Sequence, residues 1–161
     1  ACVEKNSFAV AFTGHSGMGK STRAKAWVDG LGAEWISGDR PAVRLEKNGS
    51  VACGVPWDGK EQIHRNVERP LMAILDVRRS HCNYLRKLSD EQALAVLMRQ
   101  VFIPMWDTDT AVMAMADTVM DTATTVITTI TTTIIILEVR IITNNCRSQR
   151  LTQINICALL V

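Results

Sequence analysis

The chain has 161 residues, 47% of them apolar and 21% charged, with a formal net charge of +2. This is the composition of one ordinary globular domain that can bury a core without metal or disulfide staples. It excludes a disordered chain, a collagen-like repeat and a disulfide miniprotein. The charge is uneven, since residues 1–106 carry 15 Lys/Arg against 11 Asp/Glu and residues 107–137 carry four Asp with no Lys or Arg. The global balance requires neither nucleic acid nor a membrane surface as partner.

The five cysteines (Cys2, Cys53, Cys82, Cys146, Cys157) are odd in number and never in CxxC spacing, and His15, His64 and His81 are scattered. Neither a disulfide framework nor a zinc knuckle is expected. Reduced, buried thiols suit a cytoplasmic protein. No signal peptide is expected, because Glu4 and Lys5 break the first apolar residues. The most apolar stretch, residues 126–137, has 12 residues of which five are threonine, short of the ~20 that span a bilayer. The chain opens as a strand with no initiator methionine, which reads as an N-terminally truncated protein.

In chain order, residues 1–4 read as a strand, and residues 8–13 (FAVAFT) as a buried central strand that runs into a glycine-rich turn. Residues 21–31 read as a helix, with Ala24, Trp27, Val28 and Leu31 on one face and Gly30 and Gly32 to stop it. Trp27 and Trp35 are expected in the core. Residues 35–37 form a short strand closed by Gly38-Asp39-Arg40-Pro41. Residues 42–46 and 51–54 flank Asn48-Gly49, the strongest short hairpin signal. Residues 71–77 make another apolar strand, which residues 83–88 are expected to pair with. Ser89-Asp90-Glu91-Gln92 is a capping-box pattern that opens a helix over 91–101, before Pro104. Met113, Met115 and Met120 read as core filler. Nine of the sixteen residues 118–133 are threonine. Residues 117–161 are therefore atypical low-complexity sequence within a single 1–161 domain, apart from a strand expected near 133–142.

Gly14-His15-Ser16-Gly17-Met18-Gly19-Lys20-Ser21 fits G-x-x-x-x-G-K-[ST] completely, with Thr22 next in the following helix. Glycines let successive N–H groups curl around phosphate oxygens, and the helix start turns its positive dipole end on the same anion. Lys20 would reach the β- and γ-phosphates, and the Ser21 hydroxyl would bind Mg²⁺. Mg²⁺ needs a further carboxylate at the end of a neighbouring strand. Asp39 fits, 19 residues after Lys20; the alternative is a plain turn aspartate. Asp76 is its nearest rival and is set aside here, because strand-like residues follow it. Residues 54–61 (GVPWDGKE) present Lys60 beside Glu61. Lys60 would stabilise charge on a transferring phosphoryl group and Glu61 would complete the metal shell, unless the segment is a surface turn. Trp57 either stacks on a ligand or plugs the loop from below. His64 is the candidate general base.

Taken together, residues 3–13, the glycine loop, Ile36-Ser37-Gly38-Asp39-Arg40-Pro41-Ala42-Val43-Arg44 and Gly54-Val55-Pro56-Trp57-Asp58-Gly59-Lys60-Glu61 resemble one family. It is the HPr kinase/phosphorylase-like group, with the phosphoenolpyruvate-carboxykinase-type P-loop fold, especially its small bacterial members of unassigned substrate. The likeness runs from Ala1 to about Met115 and includes Leu88-Ser89-Asp90-Glu91-Gln92-Ala93-Leu94. It implies an α/β fold with a mixed, twisted sheet, and ATP with Mg²⁺ for phosphoryl transfer to a hydroxyl. Lys20 matches the phosphate-binding lysine, Ser21 the metal-binding hydroxyl and Asp39 the metal-binding aspartate. The family proper has adjacent aspartates where this chain has Gly38-Asp39, so its catalytic base is missing, and its glutamate-bearing loop is replaced.

The expected function is an ATP-dependent kinase acting on a small molecule or a peptide hydroxyl, with no nucleic acid or membrane partner and with homo-oligomer formation left open. The alternatives are an ATP-binding regulatory module without turnover and a generic P-loop ATPase. A GTPase is disfavoured because the chain lacks an N-K-x-D stretch.

Overall fold

The computed structural model describes residues 1–46, 49–57, 62–100 and 135–141. The expectations for residues 47–48, Asp58, Gly59, Lys60 and Glu61, the Pro104 stop, the Met113 group and the threonine-rich stretch lie outside the described residues. Among the described residues the order is β1 (Cys2–Lys5), β2 (Phe8–Thr13), α1 (Lys20–Leu31), β3 (Glu34–Ser37), β4 (Ala42–Glu46), β5 (Gly49–Cys53), β6 (Glu68–Arg79), β7 (Tyr84–Lys87), α2 (Asp90–Met98) and β8 (Ile135–Ile141).

Local chemistry accounts for most of these boundaries. Asn6 and Ser7 both take positive φ (51° and 67°), which is the two-residue turn that matches strand twist and folds β1 back on β2. Gly32 ends α1 in the left-handed region, its N–H on the Val28 carbonyl (3.2 Å). Ser89 and Gln92 form the expected capping box of α2, which begins at Asp90. The expected hairpin is present, with β4 and β5 antiparallel from Ala42↔Cys53 to Glu46↔Gly49.

The structure is mixed α/β, and its sheet curls around β6. One edge of β6 pairs parallel with β2 from Ala9↔Leu71 to Thr13↔Asp76. The other edge is divided: Glu68–Pro70 pairs antiparallel with β5, and Ala73–Arg79 pairs parallel with β8. Beyond β2 lie β1 and then β3, each antiparallel to its neighbour. The strands β2, β3, β6 and β8 consequently all end at one rim of the sheet. The segment expected to pair with residues 71–77 does not do so. β7 pairs instead with β8, from Tyr84↔Arg140 to Lys87↔Leu137, because β8 already occupies that edge of β6.

Helices cover both faces. On one, Ala24 and Trp27 of α1 pack on Val3, Val10, Phe12, Leu75 and Val77, with Phe12 and Trp27 edge to face at 5.7 Å. Trp35 is partly buried against the same cluster. On the other face, Ala93 and Val96 of α2 pack with Cys2, Ala11, Ile36, Leu71, Ile74 and Ile136. Leu71 and Ile74 share that face although they are an odd number of residues apart. The register with β2 slips there, Ala9 facing Leu71 and Val10 facing Ala73, so an extra residue, Met72, reverses the alternation. Asp76 consequently falls on the α2 face.

Cys2 is fully buried, and that burial pushes its thiol up from the usual 9.0 to about 12. The unfolded chain ionises this thiol near pH 9 and the folded chain does not until about pH 12. Its contribution is therefore complete below pH ~9 and lost as pH rises through the folded value. Urea unfolding between pH 8 and pH 11 should show a declining stability whose slope is shallower in Cys2→Ala.

Candidate functional site

The turn between β2 and α1 is built on glycine. Gly14, Gly17 and Gly19 have φ of 133°, 77° and 89°, values that side chains resist. At Gly14 space is also lacking, because a Cβ would stand 2.6 Å from the Val77 carbonyl oxygen. At Gly17 and Gly19 a Cβ would meet nothing within 4 Å, so the loop rises open from the sheet. Met18 N–H donates to the His15 carbonyl (3.3 Å), and the Lys20 Nζ lies back across the loop on the same carbonyl (3.0 Å).

The loop leads into α1 with no side-chain cap and no acidic residue in the first turn, whereas α2 has Asp90 and Glu91 there in addition to its capping box. The first N–H groups of a helix have no partner within it, and at α1 no side chain caps them. One turn in, Arg23 is buried, its Nη1 without a hydrogen-bond partner, and that burial lowers its pKa.

β6 forms one wall of this loop. The carboxylate of Asp76 is buried, with Oδ1 3.6 Å from where a Gly14 Cβ would stand and Oδ2 accepting from Arg78 Nε at 2.8 Å. Thr13, Asp76 and Glu138 lie level across β2, β6 and β8. The Thr13 Oγ1 is buried with no partner, and Glu138 accepts from Arg86 Nε at 3.0 Å. Arg79, at the exposed end of β6, donates from Nη2 to the Gly17 carbonyl at 2.8 Å. Neither Asp76, which sits inside its strand, nor Arg79 stands out as a site residue from sequence. What marks both is the parallel pairing of residues 71–76 with the strand that carries the loop, which residue order does not reveal.

Asp39 follows β3 at the same rim. The Ala1 nitrogen donates both to the Phe12 carbonyl (3.2 Å) and to the Asp39 carbonyl (3.3 Å), which places Asp39 beside the end of β2. Its carboxylate is about half exposed and 3.6 Å from Arg40 Nε. His64 comes to this rim through its bridge to Ser37. Around that bridge Gly38 N–H donates to Ile63 (2.8 Å), Arg65 N–H to Ile36 (3.0 Å) and Gly54 N–H to Val67 (2.9 Å). Lys60 and Glu61 lie outside the described residues. Trp57 is 68% exposed and plugs nothing.

No protein-family model matches the chain, and neither a curated protein nor a solved structure matches it. Among the described residues no helix is long and apolar enough to cross a membrane. No three His, Cys, Asp or Glu side chains among them gather as a ready metal site.

The rim thus combines an uncrowded glycine loop, Lys20, the exposed Arg79 and the separately held Asp39 and Asp76, charges suited to a polyanion with a hard cation. Two backbone contacts are decisive for its shape. A Cβ at Gly54 would stand 1.7 Å from the Arg65 carbonyl oxygen, and one at Gly14 2.6 Å from that of Val77. Gly54→Ala and Gly14→Ala should each cost roughly 2–4 kcal/mol and Gly17→Ala, which meets only backbone strain, about 1 kcal/mol. Chemical denaturation of the three variants checks that order.

Proposed function

We propose that the chain is an ATP-dependent phosphotransferase with an HPr kinase-like, phosphoenolpyruvate-carboxykinase-type fold, which transfers phosphate to a hydroxyl of a small molecule or peptide. The observation that carries this reading is the glycine turn itself: three glycines at positive φ, Lys20 folded over the loop, and an uncapped helix start behind it. A phosphate chain would satisfy these donors together. The antiparallel β1–β2 and β4–β5 pairs on a sheet that also has parallel strands support the mixed-sheet family over all-parallel P-loop folds.

Mg²⁺ fits the donors present. Ser21, Asp39 and Asp76 would offer it hard oxygen donors, and Mg²⁺ is commonly held by one or two carboxylates plus substrate phosphates. When bound, Mg²⁺ neutralises charge on the β- and γ-phosphates. The protein's own part is to hold the phosphates on the loop N–H groups, with Lys20 moving from the His15 carbonyl to phosphate oxygen. His64, two residues from Asp39 across the Ser37 bridge, is the proposed base for the acceptor hydroxyl. Lys60 and Glu61 remain proposed partners in transfer on the sequence argument alone.

A second reading, a nucleotide-binding module without turnover, is favoured by one feature. Gly38, where the family has an acid, is buried and ties its N–H to Ile63, so no carboxylate stands there to act as base.

Calorimetric titration should find Mg-ATP binding in the wild type and its loss, at least ~100-fold, in Lys20→Ala; equal affinity in both would sink the nucleotide assignment. Asp39→Asn and Asp76→Asn should each weaken Mg-ATP more than metal-free ATP, and the larger difference identifies the principal metal ligand. ATP consumption with candidate acceptors separates the kinase from the silent module, and His64→Ala should reduce turnover without weakening ATP.

A further inference from the structure

Two consecutive arginines close β6, and they are held in opposite ways. Arg78 donates to Asp76 at 2.8 Å and lies 3.7 Å from Glu138, so its charge is compensated by buried carboxylates. Arg79 has no carboxylate partner among the described residues; its Nη2 rests on the Gly17 carbonyl at 2.8 Å. That contact spans 62 positions of sequence and joins the end of one strand to the loop borne by its parallel neighbour. Lys20 is parked in the same manner, on the His15 carbonyl.

A carbonyl is a weak partner for a guanidinium. It engages one of five N–H donors and leaves the charge unneutralised. The loop that both cations rest on is uncrowded at Gly17 and Gly19, where a Cβ would meet nothing within 4 Å beyond the adjoining residues. We infer that Arg79 is a second phosphate-binding cation of this loop, which exchanges the Gly17 carbonyl for oxygens of a bound polyphosphate. The inference rests on the nucleotide reading above and adds to it a residue outside the glycine motif. β6 runs on past the level at which β2 ends, from Asp76 opposite Thr13 to Arg79, and this overhang brings the guanidinium to the loop. Its planar fork can take two phosphate oxygens at once, which a lysine cannot.

Mg-ATP and, separately, inorganic tripolyphosphate are titrated calorimetrically into the wild type, Arg79→Ala, Arg79→Lys and Lys20→Ala, with thermal melts as a check on folding. Arg79 is exposed, so its variants should melt within a few degrees of the wild type. Arg79→Ala should weaken both ligands about tenfold or more, and Arg79→Lys should fall between it and the wild type, because charge is kept but the fork is lost. Unchanged affinity in Arg79→Ala, with binding lost in Lys20→Ala, overturns the role of Arg79 and leaves the nucleotide reading standing. A large loss for ATP with none for tripolyphosphate also overturns it, since the contact would then not be to phosphate. A wild type that binds neither ligand removes the nucleotide reading, and this inference with it.

Discussion

A side chain at position 14 would have to share space with the carbonyl of Val77, and the site depends on its absence. Glycine there lets β2 remain hydrogen-bonded to β6 up to Thr13 and then turn at once into the loop. A bulkier residue would push the loop off the sheet, and with it the start of α1. The loop would then lose its register with Asp76 and Arg79, which come from β6 and cannot follow. The glycines at 17 and 19 serve a different end, since they supply backbone angles in open space. One motif therefore contains two kinds of glycine, one fixed by crowding as well as by φ and two by φ alone.

β6 is the other organising element. Its two edges serve β2, β5 and β8, so the hairpin and the parallel region meet on a single strand. The extra residue at Met72 decides which face the second half of β6 presents. Without it, Ile74 would leave the α2 layer and Asp76 would turn toward α1. A local irregularity near the middle of the strand thereby sets the chemistry at its end, where Thr13, Asp76 and Glu138 stand level across three strands.

Much of this was legible in residue order. Phe8–Thr13, the glycine turn, the helix behind it, the Asn48-Gly49 hairpin and the Ser89 capping box each have a short-range physical cause, and each segment's structure agrees with it where it is described. The long-range features were not legible. That β6 begins at Glu68, ahead of Pro70, and divides its edge between two strands depends on partners remote in sequence. β7 was assigned the wrong neighbour because nothing in residues 83–88 reveals that β8 takes the edge of β6 first. Asp76 was passed over on the rule that a ligand-bearing aspartate ends its strand. Here β6 extends past the end of β2, so the residue level with the loop is not the last one. Arg79 escaped for the same reason, because its meaning comes from a contact across 62 positions.

Among its described residues, the segment from Gly54 to Val67 is tied down by main-chain bonds, Gly54 N–H to Val67, Gly38 N–H to Ile63 and Arg65 N–H to Ile36, and by the Arg65 guanidinium, which reaches Glu34 and the Trp35 carbonyl. The main-chain ties are indifferent to side-chain identity, save at Gly54 itself; the guanidinium ties are not. At Ile63, where a main-chain bond makes the attachment, the side chain can change while the attachment stays. The glycine loop has no such latitude, since its glycines are set by φ and by the Val77 carbonyl. The fold thus sets a half fixed by backbone angles and crowding beside a half whose side chains are freer to vary.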